Sequence, residues 1–159
     1  MSNITVDIAA MVVTEDPEAV LVTHALGSCI AVAAWDPERH AAGMIHFMLP
    51  NSQSSPDRAA ERPAMFADTG VPALFHALYA LGCKKRHLVV RIAGGSALHD
   101  DRGVFDIGRR NHDMLRRMFA RTRIQVAAED VGGGHWRTMR LWAGSGRCVV
   151  TSADEELEL

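Results

Sequence analysis

The chain has 159 residues, 48% of them hydrophobic and 23% charged; that fits one domain burying about two thirds of its unfolded surface and argues against disorder or a fibrous architecture. Its formal net charge is -2, but residues 154–159 hold four of the 19 acids, so the remainder sets 17 bases against 15 acids, too even a balance for a nucleic-acid-binding face. Three cysteines, Cys29, Cys83 and Cys148, without CxxC spacing, exclude a disulfide framework and a structural zinc pattern and leave at least one thiol free.

No basic segment followed by a long apolar core opens the chain, and no stretch approaches the roughly 18 apolar residues of a membrane span. A cytoplasmic protein without membrane insertion is therefore expected. Ile4, Val6 and Ile8 alternate with polar residues. Residues 20–26 are apolar and partly β-branched, and residues 29–35 and 43–49 continue the pattern, so the N-terminal half reads as a run of strands. Residues 50–63, rich in Ser, Pro and charge, read as a long loop inside the domain.

Beyond that loop, Asp68 or Thr69 is placed to cap a helix with Pro72 in its first turn. Leu74, Leu78 and Leu81 give it a buried stripe, and Gly82 ends it. Residues 87–93 read as a strand running into Gly94 and Gly95. Ile107, Met114, Leu115, Met118 and Phe119 then mark a second helix, whose other face carries Arg110, Arg116, Arg117 and Arg121 into solvent. Residues 124–128 read as a short strand, and residues 138–142 and 148–151 as the arms of a closing hairpin. Residues 154–159 read as an acidic, frayed tail. Strands that outnumber two inserted helices predict an α+β fold: a single domain over residues 1–153, a mixed α/β sandwich of largely antiparallel strands.

The chemically informative segment is VTHALGSCIAVAAWDPERHAAGMIHFMLP, residues 22–50, in which a Gly-Ser-Cys turn joins two apolar strands and a histidine follows one strand later. A four-residue loop at residues 36–39 would place Cys29 opposite His46 across an antiparallel pair, with Cβ atoms about 5 Å apart, and Ile30 opposite Ile45 on the other face. A cysteine beside a histidine can ionise as a thiolate–imidazolium pair, which supplies a nucleophile and a proton donor for the leaving group. The N–H groups of Ser28 and Cys29 are candidates to bind an oxyanion, with Gly27 permitting close approach. On spacing alone the competing reading is stronger, since a small buried thiol is a common core residue. Cys83 and Cys148 read as packing residues. No HExxH or paired histidine spacing points to a metal, and Gly132 to Gly134, lacking a following Lys-Ser or Lys-Thr, reads as a turn.

Six motifs in order shift the balance: TxxLGSC ending at Cys29, HFMLP from His46, Ala-Asp-Thr at 67–69, Gly94-Gly95, IGxRN at 107–111 and Ala-Glu-Asp at 128–130. Together they resemble the CheD family of chemoreceptor glutamine deamidases over nearly the whole domain. The resemblance implies a fold similar to the catalytic domain of cytotoxic necrotizing toxins. It also implies Cys29 as nucleophile, His46 as base and Thr23 as the third site residue, orienting the imidazole or a water. No metal or organic cofactor is required by that chemistry. Methyl-accepting chemoreceptors would be the substrates, and a CheC-type phosphatase a docking partner. Two other readings stay open: a non-catalytic regulator of such a phosphatase, and another thioester chemistry such as proteolysis or transglutamination.

Overall fold

In the computed structural model, which describes residues 1–98, 106–153 and 155–159, two mixed five-stranded sheets face each other. The first has the order β1 (Ser2–Thr5), β3 (Ala19–Leu26), β8 (Arg137–Trp142), β9 (Cys148–Ser152), β10 (Glu155–Glu158), and the second β2 (Ala10–Thr14), β5 (Ala41–Phe47), β4 (Ile30–Asp36), β6 (Val89–Gly94), β7 (Val126–Val131). Only β1 with β3 and β6 with β7 pair in parallel; the other pairings are antiparallel. The two long helices, α2 (Ala67–Ala80) and α3 (Ile107–Thr122), cover the outer face of the second sheet, and a short α1 (Pro56–Glu61) precedes them.

The alternation of a strand sorts side chains into two cores. Ile30, Val32 and Ala34 of β4, with Ile45 and Phe47 of β5, pack under Leu74, Leu78, Leu115 and Phe119 of the helices. Their neighbours Ala31, Ala33, Ala42 and Met44 face the first sheet, where Leu21, Met139, Leu141 and Val150 meet them. The small residues on that face let the sheets approach closely.

The expected α+β sandwich is present, with boundaries that differ where side chains act on the backbone. Residues 4–8 do not form one strand: β1 ends at Thr5 and a turn leads into β2, leaving Ile8 49% exposed. The loop at 50–63 contains α1, with Pro56 opening it. Helix α2 starts at Ala67 with Phe66 as its cap residue, so neither Asp68 nor Thr69 caps it and Pro72 lies in the second turn. The Asp68 carboxylate instead accepts the backbone N–H and hydroxyl of Ser52, and Thr69 donates to the Pro63 carbonyl. These bonds pin the 50–63 segment to the helix start. Arg110, Arg116, Arg117 and Arg121 are exposed on α3 as expected.

The C-terminal segment is the clearest departure. Residues 155–158 are not frayed; as β10 they pair antiparallel with β9, with Leu159 N–H bonded to the Cys148 carbonyl, although the side chains of the strand stay exposed. Asp154 lies outside the described residues. The hairpin of β8 and β9 is thus not the last element, because the free edge of β9 offers unpaired backbone groups that the chain end satisfies.

Candidate active site

The β4–β5 hairpin sets the geometry. Asp36, expected to begin the loop, is the last residue of β4, fully buried and paired with Ala41. Its carboxylate accepts the N–H groups of Glu38, Arg39 and Lys84, and His40 at φ 54° closes the turn. The four-residue loop therefore runs over residues 37–40, and the register is two residues from the expected one: Ala31, not Cys29, stands opposite His46, and Ile30 opposite Phe47 rather than Ile45. An even shift preserves the face of every side chain. Cys29, two residues before Ala31 on the same side, is thus the diagonal neighbour of His46 at the end of the space between the sheets.

Thr23 reaches the same place from the other sheet. It follows Ala19 and Leu21 on the inward face of β3 and is fully buried. Between Thr23 and Leu26 an extra residue interrupts the pairing with β8, and Ala25 takes φ 56°. This bulge lets both Thr23 and Leu26 point inward, and it delivers the Gly-Ser-Cys turn to the sheet end.

The Thr23 hydroxyl lies 2.6 Å from the Val6 carbonyl and 2.8 Å from His46 Nδ1. A carbonyl only accepts, so the single hydroxyl proton goes to Val6. His46 Nδ1 must then carry a proton and donate to Thr23, which leaves Nε2 as the bare, basic nitrogen. That Nε2 is buried and without a hydrogen-bond partner among the described residues, so no hydrogen bond joins it to the Cys29 sulfur.

Electrostatics favour a neutral pair. Burial pushes the Cys29 thiol up to about 11, against a smaller downward pull from its own backbone N–H, and burial lowers the His46 imidazole to about 4. Burial thus disfavours the charged form of each group and favours a thiol with an unprotonated imidazole over the thiolate–imidazolium pair. The expected result is that alkylation of Cys29 by iodoacetamide, followed by peptide mass, accelerates steadily from pH 7 to beyond pH 9. A rate that is flat between pH 5 and 8 would instead reveal a resident thiolate.

Three successive carbonyls of the Gly-Ser-Cys turn are held from behind. Gly27 O accepts from Ser96 N–H at 2.8 Å, Ser28 O from Asn111 Nδ2 at 3.0 Å, and Cys29 O from Gly95 N–H at 2.9 Å. Among the described residues, no backbone carbonyl accepts the N–H groups of Ser28 and Cys29. Gly94 must be glycine: at φ +116° a Cβ would sit 2.2 Å from the Cys29 carbonyl oxygen. Arg137, 2% exposed, ties this loop down through Asp130 at 3.0 Å, Ser96 Oγ at 2.8 Å and Gly132 O at 2.8 Å. The Trp136 ring lies against Gly27, which is why a Cβ there would meet it at 2.7 Å; the residue itself is about half exposed. Asn111 and Arg137 were not among the site residues expected from spacing. The only trace of Asn111 in the sequence is its place in IGxRN; Arg137 leaves none, because a buried arginine reads as any surface cation.

Residues 48–152 match the family model described as CheD chemotactic sensory transduction. Proteins named probable chemoreceptor glutamine deamidase are similar over the full length. That of Anaeromyxobacter dehalogenans is 56% identical, covering 98% of each chain, and that of Solibacter usitatus is 43% identical, covering 100% of this chain and 94% of its own. That of Syntrophus aciditrophicus is 42% identical over 96% of each chain. The chain belongs to the CheD family. The CheD family match begins at residue 48, beyond Thr23, Cys29 and His46, so it does not itself cover those three. Among the described residues no helix is long and apolar enough to cross a membrane.

Proposed function

We propose that Cys29 and His46 deamidate glutamine side chains of methyl-accepting chemoreceptors in the cytoplasm through a cysteine thioester. The activity is that named for the CheD relatives, chemoreceptor glutamine deamidation, and the observation that carries the mechanism is the buried Nε2 of His46, without a partner among the described residues and on the same face as Cys29.

The substrate carboxamide enters beside Cys29. As the sulfur bonds to its carbon, the thiol proton passes to His46 Nε2, while Nδ1–H stays on Thr23 and steadies the imidazolium. The oxyanion is held by the Cys29 and Ser28 N–H groups. Breaking the C–N bond takes the proton from Nε2 to the departing nitrogen, which leaves as ammonia. A water then gives one proton to Nε2 and its hydroxyl to the thioester carbon; the C–S bond breaks, the sulfur recovers the proton, and glutamate remains. The neutral-pair electrostatics suit this order, since charge on sulfur and imidazole arises only as bonds form. As a second partner we propose a CheC-type phosphatase, on the family resemblance; its complex should survive Cys29→Ala in a pull-down.

The test of the reaction class is the mass of the product. A chemoreceptor cytoplasmic fragment treated with the protein should gain about one dalton per reacting glutamine and release one ammonia for each, the difference between a primary amide and an acid. Chain cleavage, incorporation of an added amine, or no mass change would each sink the proposal.

A further inference from the structure

We infer that Asn111 is a positioning residue for the reaction, holding the Cys29 backbone N–H on the oxyanion and the nucleophile turn at a set distance from the His46 strand. The inference rests on Cys29 being the nucleophile.

Asn111 sits near the start of α3 and is fully buried, on a helix whose other buried residues are Gly108, Leu115 and Phe119. An amide at such a position is costly unless bonded. Its Nδ2 donates to Ser28 O at 3.0 Å and Met48 O at 2.9 Å, while its Oδ1, equally buried, has no partner among the described residues. Packing alone would be met by an apolar residue without that orphan oxygen. The amide is needed for its two N–H groups.

The two carbonyls it gathers belong to the two halves of the catalytic pair. Ser28 precedes Cys29, and Met48 stands two residues after His46, just past the end of β5. Because the peptide is planar and trans, the Ser28 carbonyl and the Cys29 N–H point in opposite directions from one rigid plate. Drawing the carbonyl toward α3 aims the N–H away from it, to the side where it meets the Cys29 sulfur. An oxyanion on the carbon attacked by that sulfur forms there. The neighbouring plates are held by main-chain donors, Ser96 and Gly95. Of the three carbonyls of the turn, that of Ser28 is the one held by a side chain, so one substitution can release it.

Steady-state deamidation of a receptor fragment by the parent, Asn111→Ala, Asn111→Asp and Cys29→Ala tests this, with active sites counted by alkylation at Cys29. Asn111→Ala is expected to lower kcat per active site by about tenfold to a hundredfold, the scale of a misaimed oxyanion donor, with KM within about twofold of the parent. In Asn111→Asp the shape is kept; buried against two carbonyls, the acid stays protonated at neutral pH and donates one bond in place of two. Its kcat relative to the parent should therefore fall as pH rises and the acid ionises. A merely structural role would lower Tm and the count of active sites while leaving kcat per site, and the ratio across pH, unchanged; that result overturns the inference. Should Asn111→Ala fail to fold, the pH ratio of the isosteric Asn111→Asp decides alone. Turnover by Cys29→Ala would instead bring down the nucleophile assignment, and the role of Asn111 with it.

Discussion

Cys29→Ala is expected to reduce ammonia release from a chemoreceptor fragment by at least about 10⁴-fold, to the background of the assay. Loss of the attacking atom removes both bond-forming steps, and no other thiol can stand in: Cys83 is 5% exposed and Cys148 fully buried. The variant should fold as the parent does, since Cys29 makes only partial packing contact with the inter-sheet core. A circular dichroism spectrum and Tm equal to the parent's would assign the loss to chemistry. Activity above a tenth of the parent's would rule out Cys29 as the nucleophile.

His46→Gln carries the second large effect, with kcat expected to fall by about 10³-fold through loss of the general base and acid. Thr23→Val should fall less, by about tenfold to a hundredfold, because the ring remains but Nδ1–H loses its acceptor and the tautomer is no longer enforced. The same histidine makes stability depend on pH. Its folded value, about 4, lies below the ordinary 6.5, so the unfolded chain binds the proton first. Its contribution is fully present above pH 6.5 and is lost as pH falls toward 4, by about 3 kcal/mol across that window. Urea midpoints measured from pH 7 to pH 4 should drop more steeply in the parent than in His46→Gln. Parallel curves for the two proteins would show that His46 is not buried neutral.

Much of the architecture was legible because it depends on local periodicity. The short apolar runs in residues 29–35 and 43–49 marked β4 and β5, which are buried on both faces, and the stripe of Leu74 and Leu78 marked α2, because burial of one helix face imposes a period of 3.6. The ends of elements were less legible. Asp36 and Asp68 both have side chains suited to turns and caps, yet each carboxylate serves backbone groups from a segment distant in sequence, Lys84 and Ser52 respectively. The acidic 155–158 segment lacks any hydrophobic pattern; it becomes a strand because β9 presents an edge beside it.

What the sequence by itself determined was the shared face of Cys29 and His46, and the family. With a side-chain period of two and a hairpin loop of even length, Cys29 and His46 had to share a side, whichever even register the loop selected. What only the tertiary structure decided was the working chemistry of that side. The register came from the buried carboxylate of Asp36, the tautomer from a Thr23 hydroxyl already committed to Val6, and the neutral resting pair from burial between two sheets. Each depends on atoms brought together from distant segments, on hydrogen-bond capacity already spent, or on water excluded, and none of these is a property of the residues in their order along the chain.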